Sequence, residues 1–199
     1  MTNNWAGVVA YAKNHPTNNG QNWDGRCEAF VCDAGGFTNA FNTATLELAH
    51  ASKLYTPSQI SIGKAPQGWL YHWAFVGSNG VDYGHVGFSD GAGNALMASG
   101  YVENAIHSNL GYIKAADYEA HSGHHFIGTS PDHGGQYLTG VAHSIPAPAS
   151  KKYAVKSGDS LSSIAAAHQT TWQKIYALNQ KVIGSNPNAI KVGEVLTLP

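Results

Sequence analysis

Cysteine is scarce in this chain: Cys27 and Cys32 are the only two in 199 residues. Two thiols cannot build the disulfide framework that staples small secreted domains, and they fit synthesis in a reducing compartment. No apolar run approaches the length of a membrane span, which excludes membrane insertion through a helix. The first residues, Met1-Thr2-Asn3-Asn4, lack a basic stretch followed by an apolar core, so no secretory signal is visible. Heptads and nucleic-acid motifs are missing too. The glycine clusters at Gly77-Ser78-Asn79-Gly80 and Asp90-Gly91-Ala92-Gly93 lack the spacing of a phosphate cradle. No cofactor and no nucleic-acid partner are therefore expected, and a monomer is.

What is present suits a packed globular protein: 43% hydrophobic residues and five tryptophans. The length allows one medium domain, or one domain and a small module. The net charge of −1 hides an asymmetry. Up to His143 there are five basic residues against ten acidic ones; beyond it, six lysines face only Asp159 and Glu194. A basic tail of this kind suits an anionic surface or a solvated lysine face.

Trp5, Val8, Val9 and Ala12 lie at helical spacing, predicting a helix over residues 4–14 that Pro16 stops. A second helix is predicted from Cys27 to the Gly35-Gly36 pair, and a third over 41–53. From Trp69 the texture becomes aromatic and branched, and strands are predicted at 69–77, 82–89, 95–102 and 125–128. Helices followed by sheet is the pattern of an α+β domain. Residues 144–151, rich in Pro, Ala and Ser, read as a linker. The stretch 152–199 reads as strand, two helices and strand.

Cys27 opens its helix, where unpaired backbone N–H groups and the positive end of the macrodipole favour a thiolate. Arg26 acts in the same direction. A lone cysteine serves equally well as a small buried hydrophobe, so the choice turns on residues downstream. Cys32 cannot pair with it: five residues along one helix put the Cα atoms about 8 Å apart, beyond the roughly 7 Å reach of a disulfide. Cys32 is read as a structural thiol. His85, at the start of a strand and flanked by Gly84 and Gly87, has room for close approach by backbone or substrate. A helix-start cysteine followed by a strand histidine is the arrangement in which imidazole takes the thiol proton and returns it to a leaving amine.

On these residues the first part resembles the CHAP family of papain-like cysteine amidases and peptidases found in phage endolysins. The likeness rests on Gly25-Arg26-Cys27-Glu28-Ala29-Phe30, on Gly84-His85-Val86 and on the ending Phe126-Ile127-Gly128-Thr129-Ser130-Pro131-Asp132. The resemblance implies α+β architecture, with N-terminal helices packed on an antiparallel sheet. It also implies hydrolysis of a peptidoglycan amide, as an endopeptidase or an N-acetylmuramoyl-L-alanine amidase, through an acyl-enzyme on Cys27, with the Cys27 N–H in the oxyanion hole. It places a polar residue beside the histidine. Asn104 is chosen for that role, with Glu103 as an alternative, since an amide oxygen fixes the imidazole tautomer; a tight hairpin would instead set Ser99 opposite His85. The missing leader suits a protein held in the host cytoplasm until a separate membrane pore releases it.

The tail resembles a LysM module from Tyr153 to Pro199. Its pattern runs through Gly158-Asp159-Ser160-Leu161, Trp172-x-x-Ile175-x-x-Leu178-Asn179 and Ile190-x-x-Gly193-x-x-Leu196-x-Leu198. Leu161, Ile164, Ile175, Leu178, Leu196 and Leu198 are expected to form a small core in a βααβ fold. The family implies an N-acetylglucosamine-binding groove walled by Gly158, Asp159, Ser160 and Leu161 and by Asn188, Ala189 and Ile190. The organisation expected is thus a hydrolase over 1–143, a linker over 144–151 and a peptidoglycan-binding module over 152–199. Two rivals stand beside it. One is a non-catalytic wall-binding or virion structural protein. The other is a zinc amidase using His121, His124, His125 and His133, although Gly123 interrupts any helix that would align them and no H-E-x-x-H motif accompanies them. Asp24 and Asp33 flank Cys27 but are too few for a calcium site. No metal is assigned.

Overall fold

A computed structural model describes residues 3–145, 151–168 and 170–198. The chain divides into two compact units, residues 1–144 and 145–199. Residues 146–150 of the expected linker lie outside the described residues, and its last residue, Lys151, already opens a strand. No helix among the described residues is long and apolar enough to cross a membrane.

The first unit begins with α1 (Trp5–Asn14), whose free N–H groups are met by the Asn4 side chain accepting from Gly7 N at 2.9 Å. It stops one residue before Pro16, at His15. The second helix, α2 (Cys27–Gly35), ends on Gly36 in the left-handed conformation (φ 64°). The third, α3 (Ala44–His50), is capped by Thr43, which accepts from Leu46 N at 3.1 Å. It is shorter than the predicted 41–53 because that cap fixes its start and Ala51 returns to extended backbone.

Six strands follow: β1 (Leu70–Ala74), β2 (His85–Ser89), β3 (Asn94–Ala98), β4 (Asn104–His107), β5 (Leu110–Lys114) and β6 (His125–Ser130). They form one antiparallel sheet in the order β4-β5-β3-β2-β1-β6. Helix α4 (Ala115–Ser122) links β5 to β6. The expected α+β class, helices first and antiparallel sheet after, is what is observed. Helix α2 lies on β2 and β3, burying Phe30, Val31 and Phe37 against Val86, Phe88 and Leu96. That packing brings the start of α2 to the start of β2.

The segment 104–122 was not foreseen. Asn104-Ala-Ile-His alternates too weakly to announce a strand and stays largely exposed, and Gly111 interrupts β5. That glycine is required, because a Cβ there would collide with the Asn104 carbonyl across the hairpin. The predicted strand 95–102 ends early, at Ala98, where the chain turns through Gly100 and Tyr101.

In the second unit β7 (Lys151–Ala154) and β8 (Val195–Leu198) pair antiparallel, with α5 (Leu161–Ala167) and α6 (Trp172–Ile183) between them, the expected βααβ order. Ser160 caps α5 in a reciprocal box with Ser163, and Thr171 caps α6. The core comprises Val155, Leu161, Ile164, Ala165, Ile175, Ile183, Leu196 and Leu198. Leu178 does not belong to it. On α6 the inward line runs Ile175, Asn179, Ile183, so Leu178 falls to the side and is 52% exposed.

Candidate active site

Trp23 sets the approach to α2: its indole is buried and donates to the His15 carbonyl at 2.8 Å. The chain then turns through Gly25 (φ 65°), and Arg26 occupies the cap position without a side-chain bond to the helix. The N–H groups of Cys27 and Glu28 are left without intrahelical partners, as at any uncapped helix start. They converge on the Cys27 thiol together with the N–H of Val86, next to His85 on β2. Burial nevertheless dominates. It pushes the thiol up to about 11, against the downward pull of these three N–H groups.

Cys27 and His85 line one cavity of about 620 Å³. Its other walls come from Asp24 to Ala29, from Phe41 to Ala44, from Phe75, Tyr83 and Gly84, from Ala98 to Tyr101, and from Tyr118 and His124. Burial, with the nearby His124 as a lesser cause, pushes His85 down to about 3. The pair therefore rests as neutral thiol and neutral imidazole. Nε2 of His85 is buried and has no hydrogen-bond partner.

Asn104 is not brought to this site. It begins β4, exposed, opposite Tyr112 of β5, and both β5 and β3 stand between it and His85. Glu103 is exposed at the same edge. The β2–β3 register pairs Phe88 with Leu96 and Ser89 with Ala95, so its continuation sets Ser99 opposite His85, in the cavity wall. Of the two uses expected for the room at Gly84 and Gly87, backbone or substrate, it is neighbouring chain that takes it. A Cβ on Gly84 would come 2.6 Å from Thr45 Oγ1, and one on Gly87 would come 2.8 Å from Met97 Cβ. Gly84, at φ 62°, admits the first turn of α3, and Gly87 admits β3.

Tyr118 and His124 were missed as site residues. Tyr118, on the unforeseen α4, is buried with its ring 4.9 Å from that of His85. The His124 ring stands edge-on to His85 at 5.4 Å. A histidine-rich tract was visible in the sequence, but not its separation in space. His121 Nδ1 bonds the Asp117 carbonyl, His125 pairs with Glu119 at 2.9 Å, and only His124 turns to the cavity. His133 lies elsewhere, within a group with Glu28 and Cys32 whose ligating atoms fall inside 4.8 Å. Most of the polar atoms there are engaged, while His133 Nδ1 is buried without a partner. Glu28 Oε1 accepts from His133 Nε2 at 3.1 Å and from Phe41 N at 2.9 Å, while the Cys32 thiol donates to the Phe37 and Asn39 carbonyls at 3.6 Å. The four histidines thus do not converge as a zinc site requires. Both cysteines are free thiols. Asp24 lines the cavity, whereas Asp33 accepts from the Tyr11 hydroxyl at 3.3 Å.

The buried histidines carry a pH signature. His72, on β1, is pushed down to about 3 by burial and by the nearby His133, so it and His85 are neutral when folded and charged in an acid-unfolded chain. Their contribution to stability is full above pH 6.5 and lost as pH falls toward 3. The slope is about 1.4 kcal/mol per pH unit for each histidine. Glu47, held up to about 8 chiefly by burial, acts oppositely between pH 4.5 and 8. The midpoint of thermal unfolding is expected to fall steeply below pH 4.5, and His85→Gln to flatten that fall by about half.

In the second unit, Gly158 turns at φ 86° and is exposed. Asp159 is committed internally, with Oδ2 accepting from the Tyr153 hydroxyl and from Lys156 N, both at 2.8 Å. These contacts, the Lys156 N–H foremost, hold its carboxyl below the ordinary range. Ser160 is a cap and Leu161 is core, while Asn188 and Ala189 are exposed and Ile190 is half-buried. Of the seven expected groove residues, Ser160 and Leu161 are thus engaged as cap and core, and Asp159 Oδ2 is engaged within its own loop.

No curated protein and no solved structure matches the chain. The LysM domain family matches residues 153–199, which supports a C-terminal cell-wall-binding module directed at peptidoglycan and its N-acetylglucosamine-containing glycan.

Proposed function

We propose that this chain is an endolysin-type, cysteine-dependent peptidoglycan hydrolase with a papain-like first unit, tethered to its substrate by the LysM module. The observation that carries this is the meeting of Cys27, at an uncapped helix start, with His85 in one cavity. As the substrate carbonyl enters, Sγ bonds to its carbon and the thiol proton passes to His85. The oxyanion is held by the N–H of Cys27, which has no partner within the helix. The C–N bond then breaks and the amine leaves with the proton from His85, giving a thioester. Water, deprotonated by His85, cleaves the thioester, releasing a carboxylic acid and restoring the thiol. Because the resting pair is neutral, proton transfer accompanies attack and does not precede it. The proposal extends to a monomer held in the host cytoplasm until a pore opens.

Alkylation tests it. Iodoacetamide should label Cys27 slowly at pH 7 and increasingly as pH rises from 9 to 11, and labelling at Cys27 should abolish wall clearing in proportion. Chelators should leave clearing unchanged. Retained clearing by fully Cys27-alkylated protein would exclude the mechanism, and loss with chelator alone would favour a zinc amidase. The unpartnered Nε2 of His85 favours one other reading, a wall-binding protein whose first unit has lost catalysis. For that protein neither reagent would matter, because it would clear no walls.

A further inference from the structure

The exposed aromatic rings of the first unit are gathered in one place. Among its described residues, the exposed phenylalanine, tyrosine and tryptophan side chains are Phe75, Tyr83 and Tyr101, at 38%, 39% and 48%, and all three line the Cys27–His85 cavity. Each ring is braced. Phe75 stacks on His124 at 4.3 Å and 18°. Tyr83 accepts at its hydroxyl from Asn79 at 2.9 Å and lies so close over Gly77 that a Cβ there would come 2.9 Å from the ring. Tyr101 stands edge-on to the buried Tyr118 at 6.1 Å. Leaving such a face in water forgoes its burial. A ring both exposed and held is preorganised for a ligand with an apolar face. Phe75 follows β1 and Tyr101 follows β3, so the platforms flank His85 on both sides of β2.

A pyranose ring has the matching shape: a C–H face for the aromatic ring and a hydroxyl edge for water and polar groups. The LysM match directs the same chain to a glycan. Arg26, the only lysine or arginine among the described residues that line the cavity, suits a carboxylate of an attached peptide. Resting on the hydrolase reading above, we propose that the rim formed by Phe75, Tyr83 and Tyr101 is a saccharide subsite. The bond delivered to Cys27 is then the amide between the lactyl carbonyl of N-acetylmuramic acid and the first alanine of the stem peptide. The lactyl carbonyl becomes the thioester, the alanine amine leaves with the proton from His85, and water releases the lactyl acid.

The full-length protein is given two soluble probes: a disaccharide-tetrapeptide, and a cross-linked tetrapeptide dimer that carries no sugar. The first should yield free disaccharide and free tetrapeptide, and the second should survive. Phe75→Ala and Tyr101→Ala should each raise KM for the first probe about tenfold with little change in kcat, and Tyr101→Phe should restore it. Equal cleavage of the sugar-free dimer, or unchanged KM in both alanine variants, overturns the saccharide subsite while sparing the hydrolase. Calorimetric titration of full-length Cys27→Ser with the disaccharide-tetrapeptide separates the two claims. Two sites are expected, falling to one when Phe75→Ala and Tyr101→Ala are added. Two sites persisting overturns the subsite. The expected fall, with no cleavage by the wild-type protein, upholds the subsite and overturns the hydrolase.

Discussion

Cys27→Ala should reduce clearing of purified walls by at least about 10⁴-fold, the scale seen when a nucleophile–base pair is broken, while the variant still sediments with walls. His85→Ala should fall as far, and the double variant no further, because the two residues act as one unit. Ser99→Ala is expected to cost much less, since a hydroxyl can tune the imidazole without taking its proton. Asn104→Ala should be silent. It lies at the far edge of the sheet, exposed, with two strands between it and His85. Wall binding reports only on the second unit, which has its own core, so an unchanged calorimetric transition of the first unit is what distinguishes these losses from misfolding.

The complementary experiment attacks binding and leaves the chemistry alone. Asn179 is buried where the inward line of α6 calls for an apolar residue, and it ties that helix to the sheet. Its Nδ2 donates to the Ile175 and Thr197 carbonyls at 2.7 Å, and its Oδ1 accepts from Thr197 N at 2.8 Å. Asn179→Leu keeps the branched shape and the number of heavy atoms but leaves Thr197 N–H and C=O without partners, a cost of about 2–3 kcal/mol. At about 0.05–0.15 kcal/mol per residue, a module of this size has only about 2–7 kcal/mol to lose. The unfolding midpoint of the second unit should drop by 10 °C or more in calorimetry, by about 4–8 °C per kcal/mol. Sedimentation with walls at 37 °C should weaken at least about tenfold. Cleavage of a small soluble muropeptide by the first unit should be unaffected. Unchanged wall retention would mean that something other than the module holds the protein to its substrate.

How much of this was legible follows how local each signal is. Cys27 at a helix start is declared within a dozen residues, by the Gly25 turn before it and the Gly35-Gly36 stop after it. The LysM pattern is long, ordered and confined to one small fold, so its element order could be read directly. The partner of His85 is a different kind of question. It depends on where the β2–β3 hairpin turns and on the insertion of β4, β5 and α4, whose sequences alternate weakly. A tight hairpin puts Ser99 opposite His85; the choice of Asn104 assumed a slip that the observed register does not contain. Leu178 failed for a smaller reason. It lies one position from the inward line of α6, and a conventional apolar reading does not anticipate Asn179 on that line. Gly84 and Gly87 were rightly seen as making room for backbone or substrate, and the room is taken by α3 and β3. The aromatic rim was invisible, since its members come from three separate segments that meet only in the folded chain.

The most direct measurement of the central claim is the covalent state of Cys27 during turnover. Wild-type protein mixed with peptidoglycan fragments, quenched in acid within seconds and digested, should show by mass spectrometry an acyl group on the peptide containing Cys27. The adduct should be labile to hydroxylamine, be absent from the Cys32 peptide, and appear together with new amino ends in solution. New amino ends released by wild-type protein and Cys27→Ala at equal rates, with Cys27 unmodified throughout, would contradict the account.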